Sequence, residues 1–287
     1  MGRAIKETKI GGAAMRSANY LERILFNKKA EVDRLVAEVK TDRNHPLNQI
    51  LNEECLPSSH FSAALKSRGL AVIGEVKRSS PTCGAIGQIE DPKELALEYC
   101  QGGASAISVL TDTRHFGGFL RDLSQVALAL AARYPKVSAL RKDFIIHPLQ
   151  LAEAVFAGAN AVLLIARAVG QHLKGLLREA ERLGLEVLCE VHDFADLELA
   201  LEAEAAIIGI NHRNLTTFDI DFSLSEALRP LIPPHIITVA ESGIHQPEQA
   251  RRMQEMGFDA ILVGEALVRS GDPARLITLM KGERDED

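Results

Sequence analysis

Short apolar, often β-branched runs recur along the chain at 71–77 (AVIGEVK), 105–110 (SAISVL), 137–142 (VSALRK), 160–165 (NAVLLI), 185–191 (LEVLCEV), 206–211 (AIIGIN), 236–241 (IITVAE) and 260–264 (AILVG). Between them, segments at 92–102, 119–133, 147–157, 171–183, 193–203, 222–230 and 247–257 carry apolar residues three and four positions apart, as in Leu173, Leu176, Ala180 and Leu183. The first set predicts strands and the second predicts amphipathic helices. Strands that are almost continuously apolar belong in a sheet buried on both faces, which requires parallel strands joined by helical crossovers. Eight such units predict an α/β fold of the (β/α)8 TIM-barrel type over 71–280. A doubly wound open sheet has the same periodicity, but no glycine-rich dinucleotide loop follows the first run; Gly84 and Gly87 are too sparse and too late.

Residues 17–70 lie outside the eight units and predict an N-terminal helical extension to one barrel domain. Asn19 and Glu22 have capping-box spacing. Leu21, Ile24/Leu25, Val32, Leu35/Val36 and Val39 then form one helical stripe, and a second short helix is expected near 61–66. The long helix could plug the bottom of the barrel or cover its mouth. Residues 1–16 are expected to be flexible, and 281–287 (KGERDED) to be a solvated tail.

The polar residues that interrupt this pattern cluster at strand ends. Barrel side chains alternate between the interior and the helix layer, and active sites form at the C-terminal face. Glu75 and Lys77 share one face, and Lys142, Glu190, Asn211 and Glu241 also close their runs. Any one of them has an ordinary explanation as a solvated or paired charge. Convergence of all six from five strands argues for a reactive centre, because buried strand-end charges cost several kcal/mol unless paired. Glu186, at the start of its run, is expected to be structural or solvated at the bottom. After runs seven and eight, Ser242-Gly243 and Gly264-Glu265 are placed to cradle a phosphate on backbone N–H groups, provided that Glu265 turns its carboxylate away.

Composition narrows the function. A net charge of -6 disfavours nucleic acid as a partner, while leaving room for a small anionic substrate in a locally positive pocket. No stretch of about 18 apolar residues suggests a membrane span, and the opening lacks the apolar core of a secretory signal. Cys55, Cys83, Cys100 and Cys189 show no metal or redox spacing, as expected of reduced thiols in a cytoplasmic protein. No metal site is expected.

The motifs IGEVKRSSPTCG (73–84), GASAISVLTD (103–112), LRKDFI (140–145), GANAVLLIA (158–166), LEVLCEVH (185–192), IIGINHRNL (207–215), VAESGI (239–244) and ILVGEAL (261–267) together resemble the indole-3-glycerol-phosphate synthases of tryptophan biosynthesis. YLERIL (20–25) and KKAEV (28–32) resemble that family's N-terminal extension. The resemblance covers nearly the whole chain, and EVKRSSP, LRKDF and ESGI in that order are highly specific.

It implies a cofactor-free, decarboxylating carbon–carbon lyase acting on 1-(2-carboxyphenylamino)-1-deoxyribulose 5-phosphate. Lys142 then matches the general acid and Glu190 the acid/base carboxylate. Glu75 and Lys77 match a supporting pair, Asn211 an orienting amide, and Glu241 a further carboxylate, with Arg213 a supporting charge. Ser80, Gly243 and Gly264 match phosphate contacts, with Ser242 and Glu265 beside them. Phe116 and Phe144 are candidates for an apolar wall around the anthranilate ring. The expected state is a monomer or weak homodimer, alone or associated with other tryptophan-pathway enzymes. Two departures stand out: His212 where Asn or Ser is usual, expected to be neutral and to face away from the mouth, and Cys83 in the first strand's loop. Alternatives are a Schiff-base aldolase using Lys142 or Lys77, and a catalytically inactive phosphosugar-binding barrel.

Overall fold

Eight strands form the wall of the protein: β1 (Ala71–Val76), β2 (Ala106–Leu110), β3 (Ser138–Lys142), β4 (Ala161–Ile165), β5 (Glu186–Val191), β6 (Ile207–Asn211), β7 (Ile237–Glu241) and β8 (Ala260–Val263). The computed structural model describes residues 19–53, 60–66, 69–80, 84–87 and 89–282. Each strand pairs in parallel with its sequence neighbours, and β1 closes onto β8 with Ala71 opposite Ala260 and Gly74 opposite Val263. Closure excludes the open sheet. Every strand lies within a residue or two of its predicted run.

Among the described residues, the α-helices of five residues or more are α1 (Tyr20–Thr41), α2 (Pro46–Asn52), α3 (His60–Leu65), α4 (Pro92–Gln101), α5 (Leu120–Arg133), α6 (Pro148–Phe156), α7 (Leu173–Arg182), α8 (Phe194–Glu202), α9 (Ser223–Leu228), α10 (Pro247–Glu255), α11 (Glu265–Arg269) and α12 (Pro273–Met280). Proline opens α4, α6, α10 and α12, where its fixed φ suits a helix and no N–H is needed. One apolar layer, including Val72, Ile107, Leu151, Leu164 and Ile208, lies between strands and helices. A second, including Ile73, Leu140, Leu163, Leu188 and Val239, fills the barrel. No described helix is long and apolar enough to cross a membrane.

Of the three described helices in the extension, α1 and α3 take opposite ends of the barrel. The Asn19–Glu22 capping box forms as expected, with both of its hydrogen bonds at 2.9 Å. From this start α1 lays Tyr20, Leu21 and Ile24 over the mouth of the barrel. By contrast, α3 inserts Phe61 and Leu65 into the bottom, where Glu186 accepts hydrogen bonds from the Phe61 and Ser62 N–H groups at 2.6 and 3.1 Å. Glu186 therefore anchors the plug, in keeping with its expected place away from the mouth. Cys83 and Cys55 lie outside the described residues; Cys100 and Cys189 are buried free thiols.

Candidate active site

A single cavity at the strands' C-terminal ends is lined by every site residue expected from the sequence: Glu75, Lys77, Ser80, Phe116, Lys142, Phe144, Glu190, Asn211, Arg213, Glu241, Ser242, Gly243, Gly264 and Glu265. The charged groups sort into two clusters. Lys142 Nζ lies 2.8 Å from Glu190 Oε2 and 3.2 Å from Glu241 Oε2, while Lys77 Nζ lies 2.7 Å from Glu75 Oε2. Glu190 and Glu241 are almost fully buried, so their ionisation is set by neighbours more than by solvent.

Burial works against the Lys142 ammonium, but the carboxylates of Glu190, Glu241 and Glu75 outweigh it and raise its pKa. The same pairing divides the two glutamates. Desolvation opposes ionisation of Glu190, yet Lys142 and His192 hold its pKa well below the usual carboxylate range. Glu241 is pushed up to about 8, first by burial and also by the negative Glu190, with Lys142 opposing the rise. At neutral pH Glu190 is therefore held as the carboxylate, while Glu241 favours its protonated form.

Two glycines make room for these carboxylates. A Cβ on Gly209 would overlap the Glu241 carboxylate, and one on Gly264 would stand 2.5 Å from Glu75 Oε2. Gly264 thus serves Glu75 as well as sitting beside the expected phosphate loop. At Asn211 the side-chain Oδ1 accepts the Arg213 N–H at 3.0 Å, which leaves the amide as the end able to donate.

The loops after β7 and β8 shape the opposite end of the cavity. Ser242 and Gly243 both adopt left-handed backbone conformations, with φ of 68° and 78°. Glu265 approaches Arg269 one turn along α11, with Oε1 and Nε 3.1 Å apart, so its carboxylate is drawn along its own helix. Phe116 and Phe144 stand with ring centroids 6.0 Å apart and, with Leu110, Leu163 and Ile165, form an apolar wall.

Several residues packed around the site were not found by sequence reasoning. Lys28 of α1 is buried against Asp112 and Asp143, at 3.0 and 2.9 Å, and against Glu31 at 2.8 Å. Asp143 also takes the Arg141 guanidinium at 3.1 Å and the Thr111 hydroxyl at 2.6 Å. Lys28 occupies the gap in the apolar stripe between Ile24 and Val32, which was the available signal. His192, two positions beyond Glu190, is likewise buried beside it. Among the described residues no group of three His, Cys, Asp or Glu side chains could hold a metal ion.

The Indole-3-glycerol phosphate synthase family model matches residues 21–280. The chain is 43% identical over 256 residues to the indole-3-glycerol phosphate synthase of Opitutus terrae, covering 88% of this chain and 95% of that one. It is 46% identical over 223 residues to indole-3-glycerol phosphate synthase 1 of Streptomyces coelicolor, covering 77% and 81%. Among solved structures, thiamine phosphate pyrophosphorylase from Pyrococcus furiosus superposes with a TM-score of 0.56 at 16% identity, covering 76% of this chain and 96% of that one, a likeness of fold alone. Extended identity and a family match that spans extension and barrel alike lead to one conclusion: the chain belongs to the indole-3-glycerol phosphate synthase family.

Proposed function

We propose that the protein converts 1-(2-carboxyphenylamino)-1-deoxyribulose 5-phosphate into indole-3-glycerol phosphate, releasing CO2 and water. The observation that carries this reading is the Lys142 ammonium buried between Glu190 and Glu241 in a cavity with one apolar wall. Ring closure joins the anthranilate carbon bearing the carboxylate to the ribulose carbonyl carbon. Negative charge then develops on the carbonyl oxygen, and Lys142 donates the proton that neutralises it. Loss of CO2 returns its bonding electrons to the ring. In the final dehydration Glu190 takes up a proton from the substrate, and the hydroxyl, protonated by an acid of the site such as Lys77, leaves as water.

In this reading Lys77, paired with Glu75, attracts the substrate carboxylate or supplies a proton during dehydration. Asn211 orients a substrate oxygen through its amide, with Arg213 as a nearby positive charge. Ser80, Ser242, Gly243 and Gly264 hold the phosphate, and Phe116 and Phe144 enclose the aromatic ring. The enzyme acts on this small phosphorylated substrate in the cytoplasm, as a monomer or weak homodimer.

A Schiff-base aldolase would need an unprotonated lysine. The carboxylates around Lys142 favour its ammonium form, which suits an acid better than a nucleophile. The test mixes chelator-treated protein with the substrate and follows indole fluorescence, against a chain that contains no Trp. Turnover that disappears in Lys142→Ala is expected. A folded protein that binds the substrate without turning it over would favour the inactive barrel, and no binding would remove the substrate assignment.

A further inference from the structure

His192 lies immediately beyond β5, two residues after Glu190, and its side chain is only 4% exposed. Its ring stands between two carboxylates. Nε2 is 3.2 Å from Glu190 Oε1, and Nδ1 is 3.5 Å from Asp196 Oδ2. Asp196, in the first turn of α8, is itself fixed by Arg167 Nε at 2.7 Å and by the His192 backbone N–H at 2.9 Å.

An ionised carboxylate only accepts hydrogen bonds, and a neutral imidazole has one N–H and one bare nitrogen. Either neutral tautomer would turn a lone pair toward a carboxylate. With a carboxylate beside each nitrogen, the buried ring is favoured in its doubly protonated, positively charged form. The other charged or titratable groups around it are Arg167 after β4, Asp193 at the start of α8, and Lys142 and Glu241 across Glu190. On the opposite strand face, burial raises the pKa of the Cys189 thiol and keeps it uncharged. Glu190 is thus bounded by Lys142 at Oε2 and by His192 at Oε1.

We propose that His192 is a positioning residue, an imidazolium braced by Asp196 and Arg167 that keeps Glu190 oriented and ionised when Lys142 turns toward substrate. Without it, movement of the lysine would leave a buried carboxylate with no positive neighbour, and Glu190 would take up a proton too early to act as a base. Burial alone would disfavour the charged ring, but the neighbouring carboxylates of Asp196 and Glu190 prevail, and its pKa is pushed up to about 9. The inference rests on the proposed role of Glu190 as the base.

The experiment compares wild type with His192→Gln by two readouts. The first is titration of the Glu190 side-chain carboxyl by carbon NMR, with the imidazole nitrogens of wild-type His192 followed by nitrogen NMR. The second is the pH profile of kcat/KM. Removing a positive neighbour should raise the Glu190 pKa, so its titration and the acid limb of the profile should both move up by about one pH unit or more. KM at pH 8 should change less than twofold, and Asp196→Asn should shift the limb in the same direction.

A neutral His192 ring at pH 7 in wild type would overturn the proposal without any variant having to fold. So would a Glu190 titration unmoved by the substitution, or a fall in kcat that is uniform with pH. If the Glu190 titration moves but wild type does not turn over the substrate, the functional reading fails while the charge coupling stands.

Discussion

His212 Nδ1 lies 2.9 Å from the carbonyl oxygen of Ser242, and its Nε2 lies 2.6 Å from the Ser225 hydroxyl. A carbonyl can only accept, so the proton sits on Nδ1 and the serine hydroxyl donates to Nε2. Burial holds the His212 pKa down, which matches this neutral tautomer. The ring thereby ties the end of β6 to the loop after β7, at the point where Ser242 enters its left-handed conformation.

That conformation costs a residue with a Cβ about 1–2 kcal/mol, and the His212 hydrogen bond helps to hold it. His212→Ala is expected to raise KM severalfold, weaken competitive inhibition by inorganic phosphate to the same extent, and leave kcat within about threefold. His212→Asn, whose amide can donate from a similar position, should recover much of the loss. A fall in kcat with unchanged KM would assign the ring to another task.

The two buried histidines should oppose each other in the pH dependence of stability. His212 has a depressed folded pKa, so its contribution is complete above the unfolded value of about 6.5 and diminishes as pH falls toward the folded value. His192 has a raised folded pKa, so its contribution is complete below about 6.5 and is lost as pH rises through about 9. Thermal unfolding should show His212→Asn flattening the acid side of the Tm curve and His192→Gln flattening the alkaline side. Parallel curves for both variants and wild type would contradict these assignments.

Lys28 fastens the helix that covers the mouth. Replacement by Met leaves Asp112 and part of Asp143 buried without their cation, a change that typically costs roughly 3–5 kcal/mol. Urea unfolding should register that loss, and KM should rise because Tyr20, Leu21 and Ile24 line the cavity from the same helix. A stability loss below about 1 kcal/mol would show that the ion cluster does not hold the helix.

Much of this site could be read in the sequence because barrel geometry turns a linear pattern into a place. A polar residue that closes an apolar strand points into the mouth or the helix layer by simple alternation, and Glu190 and His212 both follow that rule. Lys28 was hidden because a helical stripe is read from its apolar members, and its partners Asp112 and Asp143 follow other strands. Periodicity also reports which face of α1 is buried but not which end of the barrel it meets. The role of His192 depends on Asp196 and Arg167, which sequence spacing does not bring together. The space that Gly209 and Gly264 leave for carboxylates is equally silent in a sequence, where Gly209 looks like an ordinary strand glycine and Gly264 like part of a phosphate loop.

Those glycines give a direct test of how closely the carboxylates must be placed. Gly209→Ala forces Glu241 from its position, and Gly264→Ala does the same to Glu75. A displacement of about 1 Å at a reacting group can cost on the order of a hundredfold in rate. Gly209→Ala should lose kcat on that scale while still binding the product. Gly264→Ala should lose kcat and also bind the product more weakly, because Gly264 holds the phosphate in the proposed reading. Near-normal turnover in either one would show that its carboxylate needs no fixed position.

The unequal ionisation of Glu190 and Glu241 predicts unequal tolerance of the same substitution. Glutamine is close in shape to a protonated glutamate and lacks the negative charge of an ionised one. Glu241, with its pKa pushed up to about 8, is mainly protonated at pH 7, so Glu241→Gln preserves its prevailing charge. Glu190, held low by Lys142 and His192 against its burial, is ionised at that pH, so Glu190→Gln removes both the charge and the proposed base. The expected result at pH 7 is a loss of at least about a hundredfold in kcat for Glu190→Gln and about tenfold or less for Glu241→Gln. As pH rises through about 8, Glu241 ionises beside Glu190 and draws Lys142 toward itself, so wild-type kcat/KM should decline there. Glu241→Gln cannot ionise and should lack that decline. Equal losses in the two variants, or an unchanged alkaline limb in Glu241→Gln, would mean that the two carboxylates share one proton rather than dividing their charge states.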